Sequence, residues 1–156
     1  MSEPVDERLR VSRANEEARV APTREGYVNA IQVWPYTDGA LYQVYAAPGR
    51  VTVISLQAGE ELITVAAGDT VRWIVGDTSS GSGDALRVNV LVKPIRSGLK
   101  TNLVITTSRR TYLLELTSTE KAWMASVSWD YPKDRMLALQ RQAEAGAAIL
   151  RRGGRR

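Results

Sequence analysis

Four short segments carry side chains that could act on a substrate or grip a ligand. Ser97-Gly98-Leu99-Lys100 has the spacing of the Ser-x-x-Lys acyl-transfer pair. That chemistry sets the serine at a helix start, one turn from the lysine that activates it. Here a Ser-Gly pair joins two β-rich runs, so the segment reads as a turn with a solvated lysine. Glu60, Glu61 and Asp69 could furnish two carboxylates of the kind that flank a glycosidic bond. They stand beside Gly59 and Gly68, where acids favour turn geometry and solvent. Residues 76–84 concentrate oxygen donors, but only Asp77 and Asp84 could serve a calcium loop, which wants acids at alternating positions and a liganding acid at its end. No Gly-Lys-Ser/Thr follows, so it is not a phosphate loop either. The segment reads as a flexible Ser/Gly hairpin loop. Arg109-Arg110 sits in a tight turn between two strands. It could hold a phosphate or an acidic partner, or be a solvated tip or an intrachain ion pair.

Composition removes other chemistries. Among 156 residues there is no His, no Cys and no Phe. A structural zinc site and the Ser-His-Asp and Cys-His arrangements are therefore excluded. Carboxylate, Lys, Tyr or Ser-Lys chemistry stays open. The formal charge of +4 suggests nucleic acid until it is located. Residues 1–25 are net −1, residues 26–132 net 0, and residues 133–156 net +5. The basic excess belongs to a C-terminal segment without interleaved aromatics for stacking on bases, so no direct nucleic-acid binding is expected.

The elements that must position these residues are strands. From residue 31 to residue 129, short β-rich runs recur between turn formers: 31–36, 41–45, 51–56, 62–66, 70–75, 86–92, 102–107, 110–117 and 122–129. Leu86, Val88, Val90 and Val92 share one face, as do Tyr112, Leu114 and Leu116. Such period-two patterning puts one face on a core and the other toward water. The expected fold is an all-β antiparallel sandwich of eight or nine short strands. Trp34, Trp73, Trp123 and Trp129 would supply the aromatic volume that Phe usually provides. Residues 1–25 read as a flexible charged lead-in, residues 26–132 as the sandwich, residues 133–150 as a short linker helix with a narrow apolar stripe, and residues 151–156 as a disordered basic tail. No signal-peptide pattern and no stretch of transmembrane length is visible.

The strand junctions carry a recognisable series. Pro48-Gly49-Arg50-Val51-Thr52, Ala58-Gly59-Glu60, Gly68-Asp69-Thr70-Val71-Arg72-Trp73, Val92-Lys93-Pro94, Thr101-Asn102-Leu103-Val104-Ile105-Thr106-Thr107, Arg109-Arg110-Thr111-Tyr112 and Val127-Ser128-Trp129-Asp130-Tyr131-Pro132 occur in that order. This series, from about Ile31 to Pro132, resembles the N-terminal domain of the TrbG/CagX family of conjugal-transfer proteins, relatives of the ninth VirB protein.

The resemblance implies a non-enzymatic scaffold. Family members are exported to the periplasm and build rings in the outer-membrane core complex of type IV secretion systems. Their partners are copies of themselves, a TrbI-type periplasm-spanning protein and a small outer-membrane lipoprotein. The N-terminal domain is a β-sandwich in the inner layer of that core, and a second β-domain meets the lipoprotein. With neither a secretion signal nor that second domain visible, a truncated or cut form of a longer chain is expected. Asp69, Trp73, Asn102 and Tyr112 are expected to specify the fold, and Arg109 and Arg110 to make an intersubunit contact. No catalytic residue, cofactor or metal is expected. The competing reading is a periplasmic carbohydrate- or peptide-binding sandwich that displays exposed Tyr and Trp. A small carboxylate hydrolase, with two acids converging in a cleft, ranks third.

Overall fold

The computed structural model describes residues 4–153. It begins with an exposed helix, α1 (Pro4–Ala18), in the segment read as a flexible charged lead-in. Pro4 opens it and Asp6 and Glu7 occupy its first turn, which suits the fixed φ of proline and the positive end of the helix dipole. An Arg10–Glu7 ion pair at 2.6 Å runs along its surface.

Eleven strands follow: β1 (Arg19–Val20), β2 (Tyr27–Val28), β3 (Ile31–Pro35), β4 (Leu41–Ala46), β5 (Thr52–Ser55), β6 (Leu62–Ala67), β7 (Trp73–Ser80), β8 (Arg87–Pro94), β9 (Lys100–Thr107), β10 (Thr111–Ser118) and β11 (Ser126–Asp130). A second helix, α2 (Pro132–Gly153), closes the chain. The strands form two packed sheets, ordered β1-β4-β10-β9-β6 and β2-β3-β11-β5-β8-β7. The sandwich is therefore as the alternation predicts, but its sheets are mixed rather than antiparallel. β4 pairs in parallel with β1 and β10, and β11 with β3 and β5. Alternation reports which face is buried and is silent on strand direction. The parallel pairs join segments far apart in sequence, where no hairpin turn dictates the direction.

Three further departures have simple causes. β1 and β2 span two residues each, too short to leave a period. β7 runs through Ser80, so much of the expected polar loop is strand, whereas Thr70, Val71 and Arg72 are not. β7 is an edge strand whose far half is exposed on both faces, so Gly, Ser and Thr meet no packing demand there. Helix α2 takes in Arg151 and Arg152, which were expected in a disordered tail; residues 154–156 of that tail lie outside the described residues.

Residues 19–25 of the expected lead-in are bound to the sandwich. Arg19 pairs with Glu115 at 2.8 Å, and the Trp34 indole donates to the Ala21 carbonyl at 3.1 Å. Gln32, fully buried, accepts from the Thr23 amide at 2.8 Å and donates to the Val33 carbonyl. Gly26 permits this approach, since a Cβ there would lie 2.1 Å from Gln32 Nε2. Buried polar groups are tolerated when paired in this way.

The core fills the space between the sheets with Val44, Ile54, Val90, Leu103, Ile105 and Leu114, all essentially inaccessible. An aromatic cluster occupies the end where β11 leads into α2. Trp129 packs 4.7 Å from Tyr112, 5.3 Å from Tyr42 and 6.0 Å from Trp34, centroid to centroid. Three of the four tryptophans are buried; Trp123 is 39% exposed, with Arg50 over its ring at 4.9 Å. No helix among the described residues is long and apolar enough to cross a membrane.

Two surface carboxylates predict the acid behaviour of the fold. Asp69 accepts from the backbone amides of Arg72 and Val71 and from the Arg72 side chain, which hold its pKa below the ordinary value. Glu115 is lowered by its hydrogen bond from Arg19 and by another from Gln43. A carboxyl with a depressed folded pKa contributes stability that is complete above its unfolded pKa and lost as pH falls through the folded one. The melting temperature should hold between neutrality and about pH 5 and decline below about pH 4. Glu115→Gln should flatten that decline, as thermal melts across pH would show.

Candidate functional site

The most elaborated polar feature lies at the junction of sandwich and helix α2. Four segments meet there. The turn before β6 supplies Gln57 and Glu60; the β9–β10 turn supplies Arg109 and Arg110; β10 supplies Tyr112; and the β11–α2 junction supplies Tyr131 and Asp134.

Glu60 is the centre. Its side chain is wholly inaccessible, a position that an isolated carboxylate does not tolerate. It is satisfied from every side. One oxygen accepts from the Tyr112 hydroxyl at 2.7 Å and from the Gln57 amide at 3.0 Å. The other accepts from the Thr107 hydroxyl. Arg110 Nη1 reaches both oxygens at 3.1 Å.

Arg110 extends the network to the helix. Its Nη2 donates to Asp134 Oδ2 at 2.8 Å, and Gln57 Nε2 donates to the same oxygen at 3.0 Å. Its guanidinium carbon sits 4.1 Å over the Tyr131 ring and 5.3 Å from the Tyr36 ring. Only arginine has the planar fork to bridge two carboxylates while stacking on aromatics. Because Tyr112 donates to Glu60, the 2.8 Å contact between the Tyr112 and Tyr131 hydroxyls must have Tyr131 as donor.

The ionisation states fit this geometry. Burial opposes the charge on Arg110, yet its hydrogen bond to Tyr112 and the field of Glu60 prevail and its pKa is raised. Burial pushes the Tyr131 hydroxyl up to about 12 and the Tyr112 hydroxyl well above the ordinary value. Both tyrosines therefore remain protonated donors at neutral pH.

The hub fixes the start of α2. Arg135 N donates to the Tyr131 carbonyl at 3.0 Å, the first helical bond, so Asp134 lies in the first turn, where the helix dipole favours an acid. Beyond that turn the helix leaves the sandwich, and residues 135–147 are all exposed. At 1.5 Å per residue, a helix of this length is a lever of about 33 Å held at one end. Asp134→Ala should leave the sandwich nearly as stable, since this partly exposed pair is worth at most about 1 kcal/mol, but should release the lever. The chain has no native cysteine. Spin labels at Thr64→Cys and Arg141→Cys therefore report one distance, whose distribution should broaden markedly in the Asp134→Ala background.

The residues singled out by sequence are distributed unevenly. Arg110 and Tyr112 belong to the hub. Arg110 spends its donors within the chain and is nearly buried, so it presents little to a neighbour. Arg109 is exposed, and among the described residues its side chain bonds to Gln57 Oε1 at 2.7 Å and the Ala58 carbonyl at 3.2 Å. Asp69 caps the turn before β7, and Trp73 is buried at that strand's start. The Asn102 carbonyl receives the Gly68 amide at 3.0 Å, and a Cβ on Gly68 would lie 2.5 Å from Asn102 Oδ1. Ser97 lies in the β8–β9 connection, not on a helix, and Lys100 opens β9. Sequence reasoning missed Glu60 as a buried anchor, together with Gln57, Tyr131 and Asp134. The one signal available was Tyr131-Pro132 with Asp134 two residues on, a strand end running into a helix start.

The fold is thus a two-sheet sandwich that holds a projecting helix through an arginine–carboxylate hub. Comparison with known proteins supplies its kinship. The family model for CagX, described as a conjugal transfer protein, matches residues 29–151, which takes in β3 to β11, the hub and most of α2. The chain belongs to the CagX family of conjugal transfer proteins. It is also 43% identical over 91 residues to a probable conjugal transfer protein TrbG of Sinorhizobium fredii (strain NBRC 101917 / NGR234). That alignment covers 58% of this chain and 34% of the relative, so the chain spans about a third of the relative's length.

Proposed function

We propose that the chain is a non-catalytic structural subunit of the outer-membrane core complex of a type IV secretion or conjugation system. In this reading it works in the periplasm, and its sandwich is an inner-layer block that packs beside copies of itself in a ring. A TrbI-type periplasm-spanning protein is its second partner. A small outer-membrane lipoprotein is a third, met through a further domain beyond α2. The observation that carries the reading is the extent of the family match, whose residues 29–151 join β3–β11 and most of helix α2 in one span. The hub gives a physical reason for that unity, since it sets the direction in which the helix leaves the block. Two of the three carboxylates first offered for acid–base work are committed elsewhere, Glu60 to the hub and Asp69 to its turn, which suits a scaffold.

Light scattering of the purified chain, alone and with the TrbI-type protein, tests the proposal. A mass above the monomer in either sample is expected, and a strict monomer in both would overturn it for this region. Arg109 is the cleaner probe of the contact surface, because reversing Arg110 would break the hub. Arg109→Glu should lower the associated fraction while leaving the melting temperature within a few degrees.

A further inference from the structure

The sandwich is open along one side. β6 ends one sheet and β7 ends the other, and both edges border a groove of about 600 Å³. Glu61, Leu62 and Val65 line it from one sheet, and Asp77, Leu86 and Val88 from the other. No Lys or Arg lines it among the described residues, and neither Glu61 nor Asp77 has an ion-pair partner among them.

The two edges differ. β6 is irregular, with a register shift between Leu62 and Thr64, and a bulge of this kind blocks strand addition. β7 pairs in unbroken register with β8 over eight residues. Its hydrogen-bonding phase follows from two contacts. Ile95 N donates to the Arg72 carbonyl at 3.0 Å, and Trp73 stands opposite Pro94, which has no N–H. In an antiparallel ladder, hydrogen-bonded and non-bonded pairs alternate. Ile74, Gly76, Thr78 and Ser80 therefore bond to β8. Val75, Asp77 and Ser79 turn their N–H and C=O groups outward, and the side chains of Asp77 and Ser79 face the groove. Among the described residues, three successive outward positions are thus free to bond one more strand.

We propose that β7 is a docking edge for an extended segment of a partner polypeptide that carries a lysine or arginine. The segment adds to the sheet as its seventh strand. Its alternate side chains enter the groove, apolar ones against Leu86 and Val88 and the cation against Asp77. A second copy of this chain is a poorer occupant. Two β7 strands paired antiparallel about their midpoint would bring their Asp77 carboxylates within a residue of each other, and like charges across a pair are unfavourable. An inward carboxylate on an edge strand also deters unselective pairing, so Asp77 makes the edge selective for a basic segment. This goes beyond the ring proposal, and its outcome is independent of the oligomeric mass.

The test titrates the ¹⁵N-labelled full chain with the capped peptide Thr-Val-Thr-Lys-Thr-Val-Thr and with its Lys→Glu counterpart. The lysine peptide should shift the Val75, Asp77 and Ser79 amide signals, slow their exchange with solvent, and bind at least tenfold more tightly than the glutamate peptide. Asp77→Lys should reverse that preference. Ser79→Pro removes an outward N–H without touching the ladder to β8, so it should weaken binding at least tenfold at an unchanged melting temperature. Absence of shifts at these amides, equal affinity for the two peptides, or binding indifferent to Ser79→Pro would each overturn the proposal.

Discussion

Arg110→Ala is expected to destabilise the folded chain by about 3–5 kcal/mol. The reason is what the substitution leaves behind. Glu60 would keep its burial and its bonds from Tyr112, Thr107 and Gln57 but lose the one cation among the described residues that reaches it. A buried carboxylate without its partner costs several times what an exposed one does. For a domain of this size the loss amounts to roughly 10 °C in melting temperature. Urea unfolding followed by tryptophan fluorescence would measure it. Arg110→Lys restores charge but cannot span Glu60 and Asp134 while stacking on Tyr131, so its loss should be intermediate. Glu60→Gln combined with Arg110→Met removes both charges, and the pair should cost less than the sum of the two singles. If Arg110→Ala costs less than about 1 kcal/mol, Glu60 is hydrated in solution and the hub is no anchor.

The hub also shows where reading a sequence stops. The strands announce themselves because burial alternates along the chain, as in Tyr112, Leu114 and Leu116 with their half-exposed neighbours Leu113 and Glu115. That signal is local and survives in a single run of text. The direction of pairing is not local. β10 runs parallel to β4 across some seventy positions, and no residue in either strand records the fact. The same holds for the site. Arg109-Arg110 is visible as a basic turn, but Glu60, 50 positions away, looks like any acid after a glycine. Its burial depends on the Gln57–Glu60 turn folding against the tip of β9 and β10, which the sheet order decides. The edge of β7 was hidden differently. Its Ser and Gly residues suit a loop and an uncovered edge equally well, and only the unbroken pairing with β8 distinguishes the two.

The second large effect is expected at Trp129, which connects the core to the hub. Its ring touches the Tyr42, Tyr112 and Trp34 rings, and it is two residues from Tyr131. Trp129→Ala should cost about 3–5 kcal/mol through the cavity it opens. It should also loosen Tyr112, and with it the hydroxyl that binds Glu60 and Tyr131. The spin-label distance between Thr64→Cys and Arg141→Cys should then broaden as in Asp134→Ala, although Trp129 is no member of the Glu60–Arg110–Asp134 ion-pair network. Trp129→Phe separates volume from polarity. Among the described residues the Trp129 indole N–H makes no well-formed hydrogen bond, so phenylalanine sacrifices little polar pairing and should cost well under half as much as alanine. It should also keep the helix distance narrow. Trp123→Ala is the control for aromatic loss at a half-exposed site, and should cost about 1 kcal/mol with no change in the distance. A broad distance in Trp129→Phe, or a narrow one in Trp129→Ala, would mean that the aromatic floor and the helix anchor are independent, and that the ion pair alone aims the helix.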